Sequence, residues 1–215
     1  MRRFLGSTFL FVAAAAIVVD AEEPGFQSLF DGKTLTGWVG ATDGYRVEDG
    51  NIVCLKGGSA NLLTAKEYGD FVLRFEFQLT PGANNGLAIR SPLKAKGNLH
   101  LDGIELQILD NSAEKYEDLK QYQYHGSVYG VVPAKRGFQK PVGEWNKQQV
   151  TCQGRHIEVV LNGTVIVAAD LDEASKNGTL DKTEHPGLKR KKGHIGFLGH
   201  GDRIEVRNIR IKELD

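Results

Sequence analysis

Between Phe71 and Leu79 the chain alternates strictly, with Phe71, Leu73, Phe75, Phe77 and Leu79 separated by Val72, Arg74, Glu76 and Gln78. Successive side chains of a strand point to opposite faces, so this run describes a strand with one buried face. Similar short runs occur at 51–55, 87–90, 104–109, 145–152, 157–161, 164–168, 194–198 and 204–211. Glycine-rich breaks separate them, among them Asp49-Gly50, Pro81-Gly82 and Asn162-Gly163. The last fits a two-residue hairpin turn joining 157–161 to 164–168, because both turn residues can take positive φ. Many short strands, each with one apolar face, must stack as paired sheets. The expected fold is therefore all-β, a two-sheet jelly-roll sandwich. The stretches 110–123 and 170–193 lack the alternation and read as long loops, with a helical turn around 172–176. Loops of that length in a compact sandwich commonly carry function, so they are the expected walls of a cleft.

The first 21 residues belong to a different regime. Arg2 and Arg3 precede an apolar run from Phe9 to Val19, and Val19-Asp20-Ala21 offers small residues for cleavage, which together read as a secretion signal. The run is too short to stay as a membrane anchor, and polar residues follow it at once. The expectation is an exported chain, periplasmic or extracellular, with one domain over 22–215 and no membrane anchor in its mature form. The full chain carries 27 basic and 27 acidic residues. Such a balance gives no reason to expect a nucleic-acid partner, and the run Lys189–Lys192 reads as a solvated loop. Cys54 and Cys152 form an even pair in an exported chain, so a disulfide is open, as are two inert core thiols. Nothing in the sequence speaks to oligomeric state.

The chemistry concentrates on Gly103-Ile-Glu-Leu-Gln-Ile-Leu-Asp110. Ile104, Leu106 and Ile108 share one strand face, which puts Glu105 and Gln107 together on the other. Asp110 closes the strand, where a bend could bring its carboxylate into the same cleft. Paired carboxyl groups can divide acid and base roles while an amide holds hydroxyls, as a sugar site requires. An ordinary solvent-facing strand would show the same alternation. Arg90 lies opposite Leu87 and Ile89 in register and could meet Glu105 or a developing oxyanion, or serve as a structural ion-pair partner. The segment 121–129 is dense in aromatic and imidazole groups. Tyr124, Tyr129 and His125 suit a carbohydrate cleft, although each could equally be a packing residue; His200 carries the same ambiguity. Nucleophile elbow, phosphate loop, dinucleotide fingerprint and helical His-Glu zinc pair are all missing from the sequence.

Several stretches occur in one order: Phe26 to Trp38, Gly69 to Arg74, Asn84-Asn-Gly-Leu-Ala-Ile-Arg90, Gly103 to Asp110, Gly143-Glu-Trp-Asn146, Leu161-Asn-Gly163, Gly193-His-Ile-Gly196 and Arg207-Asn-Ile-Arg-Ile211. The series resembles the 3-keto-disaccharide hydrolase family over nearly all of the chain beyond the signal. That resemblance implies a concanavalin A-like lectin/glucanase jelly roll acting on glycosides whose glucose bears a ketone at C3. More distantly, the spacing Glu105, Gln107, Asp110 resembles the Glu-x-Asp-x-x-Glu strand of laminarinase-type enzymes. Here the middle acid is a glutamine and the last one is shortened, which argues against double-displacement hydrolysis.

A C3 ketone acidifies the C2 hydrogen, so the bond at C1 can break by β-elimination, with water addition completing net hydrolysis. The expected roles are Glu105 or His125 as base, Arg90 as enolate stabiliser and Asp110 or His125 as acid. Gln107, Tyr124, Tyr129 and His200 would bind substrate. No cofactor is required, though Glu105, Asp110 and His125 could ligate a divalent metal. The competing class is a non-catalytic, lectin-like carbohydrate-binding domain.

Overall fold

A computed structural model describes residues 24–57 and 61–215, so the expected secretion signal at 1–21 lies outside the described residues. Among the described residues there are thirteen strands, joined by two short α-helices and single 3-10 turns. In order they are β1 (Gln27–Ser28), β2 (Trp38–Gly40), β3 (Tyr45–Glu48), β4 (Asn51–Cys54), β5 (Asn61–Thr64) and β6 (Phe71–Leu79). After β7 (Asn84–Ser91) come α1 (Leu99–Asp102), β8 (Ile104–Leu109), β9 (Asn146–Gln153), β10 (His156–Leu161) and β11 (Thr164–Asp170). The chain ends through α2 (Leu171–Ser175), β12 (His194–Gly199) and β13 (Ile204–Glu213).

The strands form two antiparallel sheets, as the sandwich expectation required. The larger has eight strands in the order β11-β10-β9-β6-β13-β4-β3, with β1 also paired to β13; the smaller has five, β2-β5-β12-β7-β8. The alternating face of β6 points inward, and Phe71, Phe75 and Phe77 are essentially without solvent. Each such ring contributes about 1.5–3 kcal/mol of burial. Leu87, Ile89, Ile104, Leu106, Ile108 and Phe197 face them from the smaller sheet. The Asn162-Gly163 turn has φ of 50° and 88° at its two residues, the conformation that a tight hairpin between β10 and β11 demands.

Cys54 and Cys152 are free and buried, so the disulfide left open by the sequence is not formed. They lie on β4 and β9, which β13 and β6 separate. Three interstrand steps of roughly 4.8 Å each hold the thiols beyond disulfide reach. The segment 110–123 carries only single helical turns, and 170–193 holds α2 close to the expected place.

Candidate active site on the outer face of the smaller sheet

The inward residues of the five-stranded sheet belong to the main core, so the intervening residues define its other face. Strand register arranges that face in rows. Leu63 pairs with Gly196, Gly196 with Ala88, and Ala88 with Glu105. Beside this row, Asn61 pairs with Leu198, Leu198 with Gly86, and Gly86 with Gln107. An antiparallel bridge between Leu106 and Val128 extends the sheet, and the Tyr129 N–H donates to the Glu105 carbonyl at 2.9 Å. Val128 shares the core with Leu106, so Tyr129 falls on the Glu105 side.

This face is not the open surface that alternation alone suggests. Glu105 and Gln107 are each only 5% exposed. Leu99 of α1 packs against a small apolar cluster of Leu63, Ala88 and Leu198, separate from the main core. The floor beside Glu105 is built from small residues, and the glutamate depends on one of them. A Cβ at Gly86 would lie 2.7 Å from Glu105 Cδ and 2.9 Å from its Cγ, so the side chain lies across the missing methyl. A Cβ at Gly196 would collide with the β5 backbone, 2.7 Å from Leu63 Cα.

His200 Nε2 approaches Glu105 Oε1 at 3.7 Å, with the imidazole half-exposed and the carboxylate buried. The neighbouring Glu105 carboxylate raises the His200 pKa above the ordinary histidine value, against the opposing effect of burial. The pair places a carboxylate next to an imidazole that favours its charged form. Gln107 Oε1 is buried with no hydrogen-bond partner among the described residues. An orphaned buried acceptor costs about 1–3 kcal/mol, and a ligand hydroxyl could supply the missing donor.

Other expected site residues are committed elsewhere. Arg90 has φ of 48° and turns its guanidinium away from the Glu105 row, where the β7–β12 register shifts. Its nitrogens donate to Asp70 Oδ1 at 2.8 Å and to the carbonyls of Gly154 (2.8 Å), Gly69 (3.3 Å) and Arg190 (3.3 Å). The expected contact with Glu105 is not made, because the guanidinium is used in four hydrogen bonds that join chain segments. His125 is enclosed between the sheets. Its Nε2 lies 3.0 Å from Gln148 Oε1, Leu109 N–H points to Nδ1 at 3.4 Å, and its ring is 4.9 Å from Phe77. Burial lowers its pKa to about 4, so it is neutral at physiological pH and does not face the Glu105 floor.

Asp110 is 4% exposed and accepts from the Gly82 N–H (2.8 Å), the Ser112 N–H (2.9 Å) and the Ser112 hydroxyl (2.6 Å). These bonds anchor the turn after β8. Tyr124 donates its hydroxyl to the carbonyls of Tyr116 and Glu117, and the Arg136 guanidinium lies over its ring at 4.2 Å. Glu105, Asp110 and His125 therefore do not converge as ligands. No group of three His, Cys, Asp or Glu side chains suited to a metal ion occurs among the described residues.

Around Tyr129 gather His100 and His185, which sequence reading did not single out, and Tyr122 of the aromatic segment 121–129. The His100 ring on α1 packs edge-on to Tyr129 at 5.6 Å and lies 6.4 Å from His185; Tyr122 meets Tyr129 at 6.1 Å. His185 and its partner Asp181 come from the loop expected to wall the cleft, but nothing in local periodicity marks them. A hollow of about 210 Å³ on the larger sheet is lined by Arg74, Glu76, Lys147, Gln149 and Arg210. Its lining contains no imidazole.

The profile of the 3-keto-α-glucoside-1,2-lyase-like domain matches residues 25–212. The chain belongs to this family. A member named 3-keto-disaccharide hydrolase from Bacteroides thetaiotaomicron is 31% identical over 92% of this chain and 80% of its own length. A candidate glycosyl hydrolase from Parabacteroides distasonis superposes with a TM-score of 0.78 at 26% identity, covering 89% of this chain and 94% of that one. Another from the same organism gives 0.76 at 30% identity, covering 88% and 99%. A carbohydrate-binding module from Bacillus subtilis shares the fold alone, with a TM-score of 0.55 at 12% identity, covering 82% of this chain and 96% of that one. In family terms, the matched span contains both sheets, the Glu105–His200 pair and the loops that flank it.

Proposed function

We propose that this chain is an enzyme that cleaves the glycosidic bond of 3-keto-glycosides, 3-keto-disaccharides among them, by β-elimination followed by hydration. Within the family match, the observation that carries this reading is the Glu105–His200 pair, set 3.7 Å apart over a floor cleared by Gly86. Glu105 takes the C2 proton, which the neighbouring ketone has acidified. The protonated His200 stabilises the enolate oxygen that develops at C3, the role that sequence reading gave to Arg90. The enolate then expels the C1 oxygen substituent, leaving a C1=C2 double bond. Water adds across that bond, with its oxygen at C1 and a proton at C2, to give the free 3-keto sugar. Gln107 accepts from a substrate hydroxyl.

Incubation with an aryl 3-keto-glucoside in deuterated water tests this reading. Aglycone release with deuterium entering C2 is expected, and Glu105→Gln should reduce turnover by about 10²–10⁴-fold. Release without C2 exchange would point to direct displacement, and saturable binding without release would make the chain a lectin-like module. The leader-like run before residue 22 further supports a site of action outside the cytoplasm, periplasmic or extracellular. Recovery of processed protein from those fractions checks this.

A further inference from the structure

Elimination from a sugar–sugar linkage needs an acid as well as a base, because the departing alkoxide is a poor leaving group until it is protonated. Glu105 and His200 serve the C2–C3 side of that reaction, and Arg90, Asp110 and His125 are bound up elsewhere. Among the groups around Tyr129, the Asp181–His185 pair is an imidazole held by a carboxylate. His185 Nε2 lies 2.9 Å from Asp181 Oδ2, and the His185 side chain is only 2% exposed. Asp181 is itself held by the Thr179 hydroxyl at 2.8 Å and the Thr183 N–H at 3.0 Å. Burial works against its ionised form, yet the bonds from His185, Thr183 and Thr179 keep its pKa below the ordinary aspartate value.

The placement of this pair is built into the backbone beside the floor. Gly130 directly follows Tyr129, which faces Glu105 across the sheet extension. A Cβ at Gly130 would come within 2.7 Å of Asp181 Cγ and 2.8 Å of His185 Nε2, so a side chain there would displace the pair. The Asp181 N–H also donates to the Gly130 carbonyl at 3.1 Å. Past His185, the chain packs against the entry to β8, and a Cβ at Gly187 would lie 2.6 Å from the Asp102 carbonyl carbon. His100 bridges Tyr129 and His185 as an edge-packed ring. Asp181 takes up His185 Nε2, which leaves Nδ1 as the other nitrogen of the ring. An aspartate that holds one imidazole nitrogen fixes the orientation of the ring, leaving the other nitrogen to exchange a proton with substrate.

We propose that His185, oriented by Asp181, is the general acid for the leaving group, a role that rests on the elimination reading above. Glu105 removes the C2 proton and the electron pair moves into the enolate. As the C1–O bond breaks, its electrons pass to the departing oxygen, which takes the proton from His185 Nδ1. In the hydration step the neutral His185 receives a proton from the attacking water, and Glu105 returns one to C2, restoring both groups. Asp181 is a positioning residue that never touches the sugar.

Leaving-group dependence tests the assignment in the purified full chain. Turnover of a 3-keto-disaccharide is compared with that of a 4-nitrophenyl 3-keto-glucoside, whose aryloxide departs with little need of a proton. His185→Gln should lose about 10²–10³-fold on the disaccharide. Its loss on the nitrophenyl substrate should be at least tenfold smaller, with C2 deuterium exchange still occurring. Asp181→Asn should show the same preference for the aryl substrate with a smaller overall loss, and it replaces His185→Gln should that variant fail to fold by circular dichroism. Equal losses on the two substrates, or an undiminished rate on the disaccharide, would overturn the proposal. If the wild-type protein releases neither aglycone, the elimination reading itself fails, before either variant is considered.

Discussion

Gly86→Ala should separate the geometry of the site from the stability of the fold. The added Cβ would stand 2.7 Å and 2.9 Å from two carbons of the Glu105 side chain. Comfortable carbon–carbon contact begins at about 3.5 Å, so Glu105 must withdraw by close to 1 Å. Gly86 is not among the glycines with positive φ, which makes alanine acceptable to the backbone. The cost to the fold is then that of pushing one side chain off its rotamer, about 0.5–1.5 kcal/mol. For a chain of this size that lowers the melting midpoint by only a few degrees. Catalysis should suffer more, since a misplacement of ~1 Å can cost about 10²-fold in rate. That corresponds to about 2.7 kcal/mol in the barrier. The assay pairs kcat/KM on an aryl 3-keto-glucoside with a thermal melt of the same preparation. Full activity in a folded variant would refute the dependence of Glu105 on Gly86, and so would a rate loss explained by general unfolding.

Acid should weaken the fold through His125, whose pKa is about 4 in the folded chain. It is ordinarily near 6.5 when unfolded, so the unfolded state binds more protons between these values and stability falls as the pH drops through that window. The full effect is roughly 3 kcal/mol. Urea midpoints at pH 7 and pH 4.5 measure it, and His125→Gln should flatten the slope. Replacing Glu105 with glutamine should return the His200 titration toward the ordinary histidine value, read by the imidazole proton shifts; an unchanged titration would dissolve the pair. Arg90→Ala should destabilise the chain by roughly 3 kcal/mol by removing the guanidinium from Asp70 Oδ1 and three carbonyls. Chemical denaturation gives that figure directly.

The layers of this protein were legible because alternation is a local record of which face is buried. Phe71 to Leu79 and the Asn162-Gly163 hairpin needed no knowledge of the rest of the chain. The same alternation put Glu105 and Gln107 on one face, but it could not tell that Leu99 and nearby loops would cover that face. The brief strands β1, β2, β3 and β5 were not among the runs marked by alternation, and β1 and β2, of two and three residues, hold too little periodicity to show. Arg90 misled for a related reason: its positive φ breaks the register on which its expected direction depended. His125 and Asp110 show chemical residue types spent on packing and on a turn, and Asp181 and His185 show the reverse. Their meaning comes from where Gly130 lies in space, more than forty residues away in sequence.

The apolar cluster of Leu63, Ala88 and Leu198 stands apart from the main core. The surface proposed to receive substrate therefore draws little of its cohesion from the side chains that hold the sheets together. Changes at Ala88, Leu63 or Leu198 would alter the room available to a sugar while the phenylalanine-rich interior stays intact. Such a division gives the scaffold latitude to diverge: new substrates can be explored on one face of five strands while the reasons for folding reside on the other.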